Sequence, residues 1–293
     1  MNGFSRPKYI NWIIKEDGVL FKDGIPLSCY KIEYDITNED VLNEWAEHIR
    51  KHYILDKDLE SSIKTLHQTK KEHLENYIIP QKNHSMGPQT ISGEFAEILI
   101  YDFIEHILDY FSLRGRHWGK STPEQSVTGS DVLGIKMNDE PSENDELIIV
   151  EVKAKLSSCD YSVLENAKKD SDKDSFRHSL SLNYLRLKYE SKGYNDLAKK
   201  VARFQEPTSH KYKTIYGASG ITSIENLKDN RINEINGKDL NIQINNMIFF
   251  LHGKDLMNLA YDLYGRIIKW SIILDLHICL KKQNQEQNKK NLE

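Results

Sequence analysis

Apolar residues first recur at helical spacing in Val41, Leu42, Trp45, Ile49 and Tyr53, which predicts a helix over 41–53, with Thr37 as N-cap and Asp40 three residues on. Upstream, Val19 to Ile36 reads as short strands around the Asp23-Gly24 turn. Leu59 to Tyr77 reads as a second, more polar helix, and Pro80 to Pro88 as a loop. Ser92 is the expected N-cap of a helix over 94–111. Its apolar positions, from Phe95 to Leu108, cover most of the circumference, so deep packing is expected.

Farther on, Arg114 to Ser121 reads as a strand or extended turn. Gly129 to Ile135 reads as a strand entered through glycine, and Lys136 to Asp145 as a turn-rich hairpin loop. ELIIVEVKA, Glu146 to Ala154, is the clearest strand in the chain. A polar run (157–174) precedes helices over 175–191 and 194–205, strands over 214–218 and 246–251, and a mostly helical stretch from 254 to about 280. The expected fold is α/β: a central mixed sheet flanked by helices (residues 86–280), an α+β N-terminal accessory region (1–85) and a polar tail (281–293).

Charge adds an asymmetry. The net charge of -4 excludes a generally basic nucleic-acid coat. Yet Glu151 to Tyr216 carries 14 Lys/Arg against 9 Asp/Glu, while Asp131 to Val150 carries one basic and six acidic residues. Acids beside a basic segment suit a metal-dependent enzyme acting on a polyanion. Two ordinary solvated faces give the same counts. Cys29, Cys159 and Cys279 lie far apart with no C-x-x-C, which points to a reducing cytosol and to neither a zinc ribbon nor a disulfide framework. Ile267 to Leu280 is too short and too charged to span a bilayer, so no membrane partner is expected.

The candidate chemistry sits on 146–154. Alternation puts Ile148, Val150, Val152 and Ala154 on one face and Leu147, Ile149, Glu151 and Lys153 on the other. A carboxylate and an ammonium thus emerge together from an apolar strand, an expensive arrangement unless they are paired or bound. Glu190-Ser191-Lys192 repeats the triplet without a strand or companion acid and is assigned no role. Asp131, 20 residues before Glu151, is brought back to it by an antiparallel hairpin. Glu94, placed in the first turn of the buried helix, is favoured there by the helix dipole and completes the set, with Glu97 one turn on. Asp131, Glu151 and Glu94 suit Mg²⁺, or Mn²⁺, which take oxygen ligands. Lys153 would then orient the attacking water or stabilise phosphorane charge.

This set resembles the PD-(D/E)xK nuclease superfamily, with Ser130 where Pro is frequent. A narrower resemblance covers Asn43 to Tyr53, Ser92 to Ile98, Gly129 to Gly134, Glu151-Val152-Lys153 and Phe249 to Gly253. These segments resemble the effector nuclease family (HamA) of the Hachiman anti-phage system. The resemblance implies a bacterial, cytoplasmic protein that degrades DNA with little sequence preference, held in check by a superfamily 2 helicase subunit. Restriction or repair nucleases of the same superfamily, and a non-catalytic subunit binding DNA or a partner, are the rival readings. Arg177, Arg186, Lys188, Arg114 and Arg116 are candidate DNA contacts. His117-Trp118 either stacks on DNA or packs beneath a surface strand. No H-E-x-x-H or P-loop is present, which argues against a zinc hydrolase and leaves ATP-driven work to a partner.

Overall fold

The computed structural model describes residues 4–125, 127–172, 177–227, 232, 235–238, 240 and 246–269. Its elements in chain order are β1 (Ile13–Glu16), β2 (Ser28–Ile32), α1 (Glu39–Tyr53), α2 (Asp56–Leu66), α3 (Lys70–His73), α4 (Gly87–His106), β3 (Phe111–Ser112), β4 (Val132–Lys136), β5 (Glu146–Lys155), α5 (Ser162–Ser171), α6 (His178–Ser191), α7 (Asn195–Arg203), β6 (Lys213–Ser223), β7 (Asn246–Gly253) and α8 (residues 256–269). The seven strands form one mixed sheet in the order β1-β2-β7-β6-β5-β4-β3. β5, β6, β7 and β2 run parallel to their neighbours in that series, and the two edges are antiparallel. This is the α/β mixed sheet expected from the sequence.

The face alternation of β5 holds. Ile148, Val150 and Val152 enter the large core under α1 and α4, while Leu147 and Ile149 join a second core with α6 and α7. Burial on both faces explains why this strand reads as a nearly continuous apolar run. In β4, a Cβ on Gly134 would come within 2.7 Å of Ile104 Cδ1 and 3.1 Å of Ile148 Cγ2, so glycine lets α4 lie close against the sheet.

Several element boundaries differ from expectation. Asn38, not Thr37, caps α1: its side chain accepts from the Val41 amide at 3.3 Å, while Thr37 is drawn to Asp35. The polar helix over 59–77 is broken at His67, whose left-handed φ of 54° ends α2, and Thr69 restarts the chain with a capping box to Glu72. α4 begins at Gly87, with Pro88 in its opening turn, so Ser92 is interior and Glu94 lies well past the first turn. The dipole argument for Glu94 therefore does not apply. Of the two readings of Arg114 to Ser121, the turn holds and the strand does not. β1 and α5 arise where no element was expected, and the tail over 281–293 lies outside the described residues.

The boundary near residue 85 is not a break in packing. β2 pairs in parallel with β7, and Tyr9, Trp45 and Tyr53 share one core with Phe95, Val150 and Leu251. The first 85 residues supply two strands of the common sheet.

Candidate active site

The loop before β4 is fastened from several sides. Gly129 adopts a φ of 118°, and a Cβ there would meet Ser181 Oγ at 2.7 Å. That same hydroxyl accepts from the Ser130 amide at 2.9 Å. Asp131, the next residue, accepts the Val152 amide on Oδ2 at 3.0 Å. Val132 lies opposite Val150, so the antiparallel register carries Asp131 toward Glu151, as the hairpin argument required.

Glu151 is 5% exposed, and its Oε1 accepts from Lys153 Nζ at 2.7 Å. Lys153 also pairs with Asp170 of α5 at 3.0 Å. Burial would lower the Lys153 pKa, but the bonds to Glu151 and Asp170, with the charge of Asp131, raise it above the ordinary lysine value. Lys153 is therefore a fixed cation.

α4 brings Glu94 and Glu97 to the same place. Glu94 Oε2 accepts from the Tyr53 hydroxyl at 2.6 Å, and Oε1 accepts from Lys120. Burial raises its pKa, against Lys120 and Tyr53. Glu97 is pushed up more strongly, by burial and then by Asp131, Glu94 and Glu151, with Arg116 opposing. Its buried Oε2 has no hydrogen-bond partner. Glu97 is thus the helix acid that senses both Asp131 and Glu151.

Arg114, expected as a DNA contact, is internal, and Arg116, also expected as one, is 11% exposed at the cleft wall and tied to the protein's own acids. Arg114 is 2% exposed and pairs with Asp102 at 2.7 Å and Glu105 at 2.6 Å. Arg116 donates to Asp131 Oδ1 at 2.9 Å and to the Val127 carbonyl at 2.8 Å, and lies 3.3 Å from Glu97. A desolvated guanidinium among carboxylates serves the protein's own acids, not a phosphate outside. His117 and Trp118 are buried too, and the Trp118 indole donates to the Lys51 carbonyl at 3.3 Å, so the packed reading of this pair holds. Arg186 pairs with Glu190 at 2.7 Å on an outer face of α6, and Arg177 is exposed at its start. Lys188 donates to the Trp118 carbonyl and Tyr184 hydroxyl, and its pKa is lowered to about 8 by burial and then by Lys192.

A cleft of about 620 Å³ opens over this cluster, lined by Glu94, Glu97, Arg116, His117 and Lys153, with Met257 and Tyr261 of α8. Asp131 and Glu151 do not themselves line it; Arg116 and Lys153, which do, are bonded to them. The acids Glu94, Glu97, Asp131 and Glu151 outnumber the cations Arg116, Lys120 and Lys153, and His117 is held neutral by burial and by the Arg116 and Lys120 charges. A cluster of four carboxyl groups, with Glu97 Oε2 held by an ion pair of 3.3 Å to Arg116, offers the all-oxygen donor set that fits a hard divalent cation. Its oxygens are not drawn as tightly as two other groups among the described residues, whose ligand atoms lie within 4.8 Å of one another: Glu16–Cys29–His252 and His48–His52–Asp102.

Sequence reasoning ranked Glu94 above Glu97, read Arg116 as a DNA contact and not as a partner of Asp131, and missed Lys120 and Tyr53 at the site. The signal available for Arg116 was an arginine set among the buried-type residues Leu113, His117 and Trp118.

Among the described residues no helix is long and apolar enough to cross a membrane. No curated protein matches the chain. The family model HamA matches residues 7–267 of the 293. That span takes in every strand among the described residues and Glu94 and Glu97 of α4 as well as Asp131, Glu151 and Lys153, and the chain belongs to the HamA family of Hachiman-type defence subunits.

Proposed function

We propose that the chain is a metal-dependent deoxyribonuclease of PD-(D/E)xK type. It would hydrolyse DNA with little sequence preference as the effector of a complex with a superfamily 2 helicase. The observation that carries this reading is the bond from the Val152 amide to Asp131 Oδ2, which brings Asp131 beside the Glu151–Lys153 pair at the end of β5. Asp131, Glu151 and a helix acid, Glu97 or Glu94, would hold Mg²⁺ or Mn²⁺, which when bound polarises the phosphodiester and acidifies a water.

The protein's own groups define the rest. Lys153, paired with the carboxylates of Glu151 and Asp170, orients the water or stabilises negative charge on phosphorus. Arg116 fixes the Asp131 side chain and, through the Val127 carbonyl, the loop that carries it. Tyr53 and Lys120 hold Glu94 in place. With Arg114 buried and Arg116 bound to Asp131, DNA affinity falls to cations such as the exposed Arg177 and the half-buried Arg186, and to the helicase.

One observation favours the non-catalytic reading: Asp131 and Glu151 are already paired with Arg116 and Lys153. Calorimetric titration with Mn²⁺ separates the two. The nuclease reading expects saturable binding that Asp131→Asn weakens roughly tenfold or more. Wild-type protein that takes up no Mn²⁺, alone or with DNA, would leave the non-catalytic reading.

A further inference from the structure

We infer that Glu16, Cys29 and His252 form a zinc site that ties β1 and β2 to β7, apart from the acidic cleft and sharing none of its residues.

The sheet register builds it. Glu16 lies opposite Cys29 in the antiparallel β1–β2 pair, and His252 lies opposite Lys31 in the parallel β2–β7 pair. Period-two alternation puts positions 29 and 31 on one face, so all three side chains converge there. Their candidate ligand atoms fall within 4.8 Å of one another. Glu16 Oε2 is 2.7 Å from His252 Nε2 and 3.7 Å from Cys29 Sγ. Cys29 and His252 are fully buried, while the Glu16 side chain keeps 30% of its exposure and leaves a route from solvent.

The ring of His252 supplies the decisive chemistry. Its Nδ1 lies 3.0 Å from the Ile224 carbonyl, and its Nε2 faces a carboxylate. Both neighbours are acceptors, and a neutral imidazole carries only one proton. One nitrogen must therefore face either a second proton or a cation. An Nδ1–H bound to a backbone carbonyl is how zinc-ligating histidines are oriented, with Nε2 presented to the metal. The ligand set is thiolate, imidazole and carboxylate with a fourth position toward water, which suits zinc and not Mg²⁺. Ligands about 2.0–2.3 Å from zinc stand roughly 3.3–3.7 Å apart, so Glu16, on the edge strand, must move out by about half an ångström. Without metal, burial and the Glu16 charge push the Cys29 thiol well up and keep it protonated. Zinc binding releases that proton, and the second imidazole proton where present.

The test uses the full chain, stripped with chelator and dialysed against zinc. One zinc per chain by elemental analysis is expected, with melting raised by several degrees. Cobalt in its place should give thiolate-to-metal charge-transfer absorption. Cys29→Ser should abolish that band, and Glu16→Gln, a conservative change at a partly exposed position, should weaken zinc binding roughly tenfold or more. Cys159→Ser, at an exposed cysteine, should change nothing. Protein that holds no zinc, shows no melting shift and gives no cobalt–thiolate band overturns the site and leaves a hydrogen-bonded His252–Glu16 pair. Zinc retained at full affinity by both Cys29→Ser and Glu16→Gln overturns it as well, because the metal would then lie elsewhere.

Discussion

Asp102→Asn is a sharp test of which arginines are internal. Asp102 is fully buried; it accepts from the Tyr9 hydroxyl and pairs with His48 at 2.9 Å and Arg114 at 2.7 Å. Burial would raise its pKa, but His48 and Arg114 outweigh this and hold it far below the usual carboxylate range. The amide keeps the shape and removes the charge. Breaking one side of a buried ion pair costs about 3–5 kcal/mol. Arg114 retains Glu105 at 2.6 Å, so the lower end, about 3 kcal/mol, is expected. That is a melting decrease of about 5 °C for a chain of this size. The sign with pH follows from the depressed folded value against an unfolded one of about 3.9: the contribution is complete above about pH 5 and fades as pH falls through 4. Calorimetric melts of wild type and variant should differ by a constant amount above about pH 5, and the gap should narrow progressively as pH falls below about 4. DNA affinity at a temperature where both are folded should be unchanged. A variant that melts within about 1 °C of wild type would refute the assignment of Arg114 to the core, since surface changes are of that small size.

Other consequences are more local. Gly134→Ala forces a methyl against Ile104 and Ile148 and should destabilise by about 1–3 kcal/mol in denaturant melts. Lys188, with a folded pKa of about 8 against an unfolded value near 10.4, makes stability rise as pH climbs between those values, because the unfolded chain binds more protons there. Lys188→Met should flatten that rise in chemical denaturation between pH 7 and 10. If Arg177 meets a phosphate, Arg177→Ala should reduce the salt slope of DNA binding by about 0.9, measured by fluorescence anisotropy with double-stranded DNA; an unchanged slope removes it from the interface.

The central strands were legible because their burial is local in sequence. Leu147 to Val152 carries both apolar faces, and the acidic loop with its turn residues forces the hairpin that returns Asp131 to Glu151. The helix carrying Glu94 was legible in its apolar positions but not in its start, because Ser92 is a good cap by type while Pro88 begins the helix by geometry. The attachment of residues 1–85 was hidden. A parallel pair between β2 and β7, more than 200 residues apart, leaves no mark on either strand alone. Arg114 and Arg116 were misread for the same reason: their partners Asp102, Glu105, Glu97 and Asp131 come from other elements, and an isolated arginine in a sequence looks like surface. α5 was hidden by its polarity, since only one face, Val163, Leu164 and Ala167, meets the sheet.

The central claim is that the Asp131–Glu151–Lys153 set cuts DNA. Plasmid degradation in Mg²⁺ by the chain with its helicase subunit, comparing wild type with Lys153→Ala, tests it most directly. The variant keeps the buried face of β5, so it should fold and retain most DNA affinity. Cleavage should drop by roughly two to three orders of magnitude, the scale of one lost transition-state stabiliser. Degradation by Lys153→Ala at the wild-type rate would contradict the account.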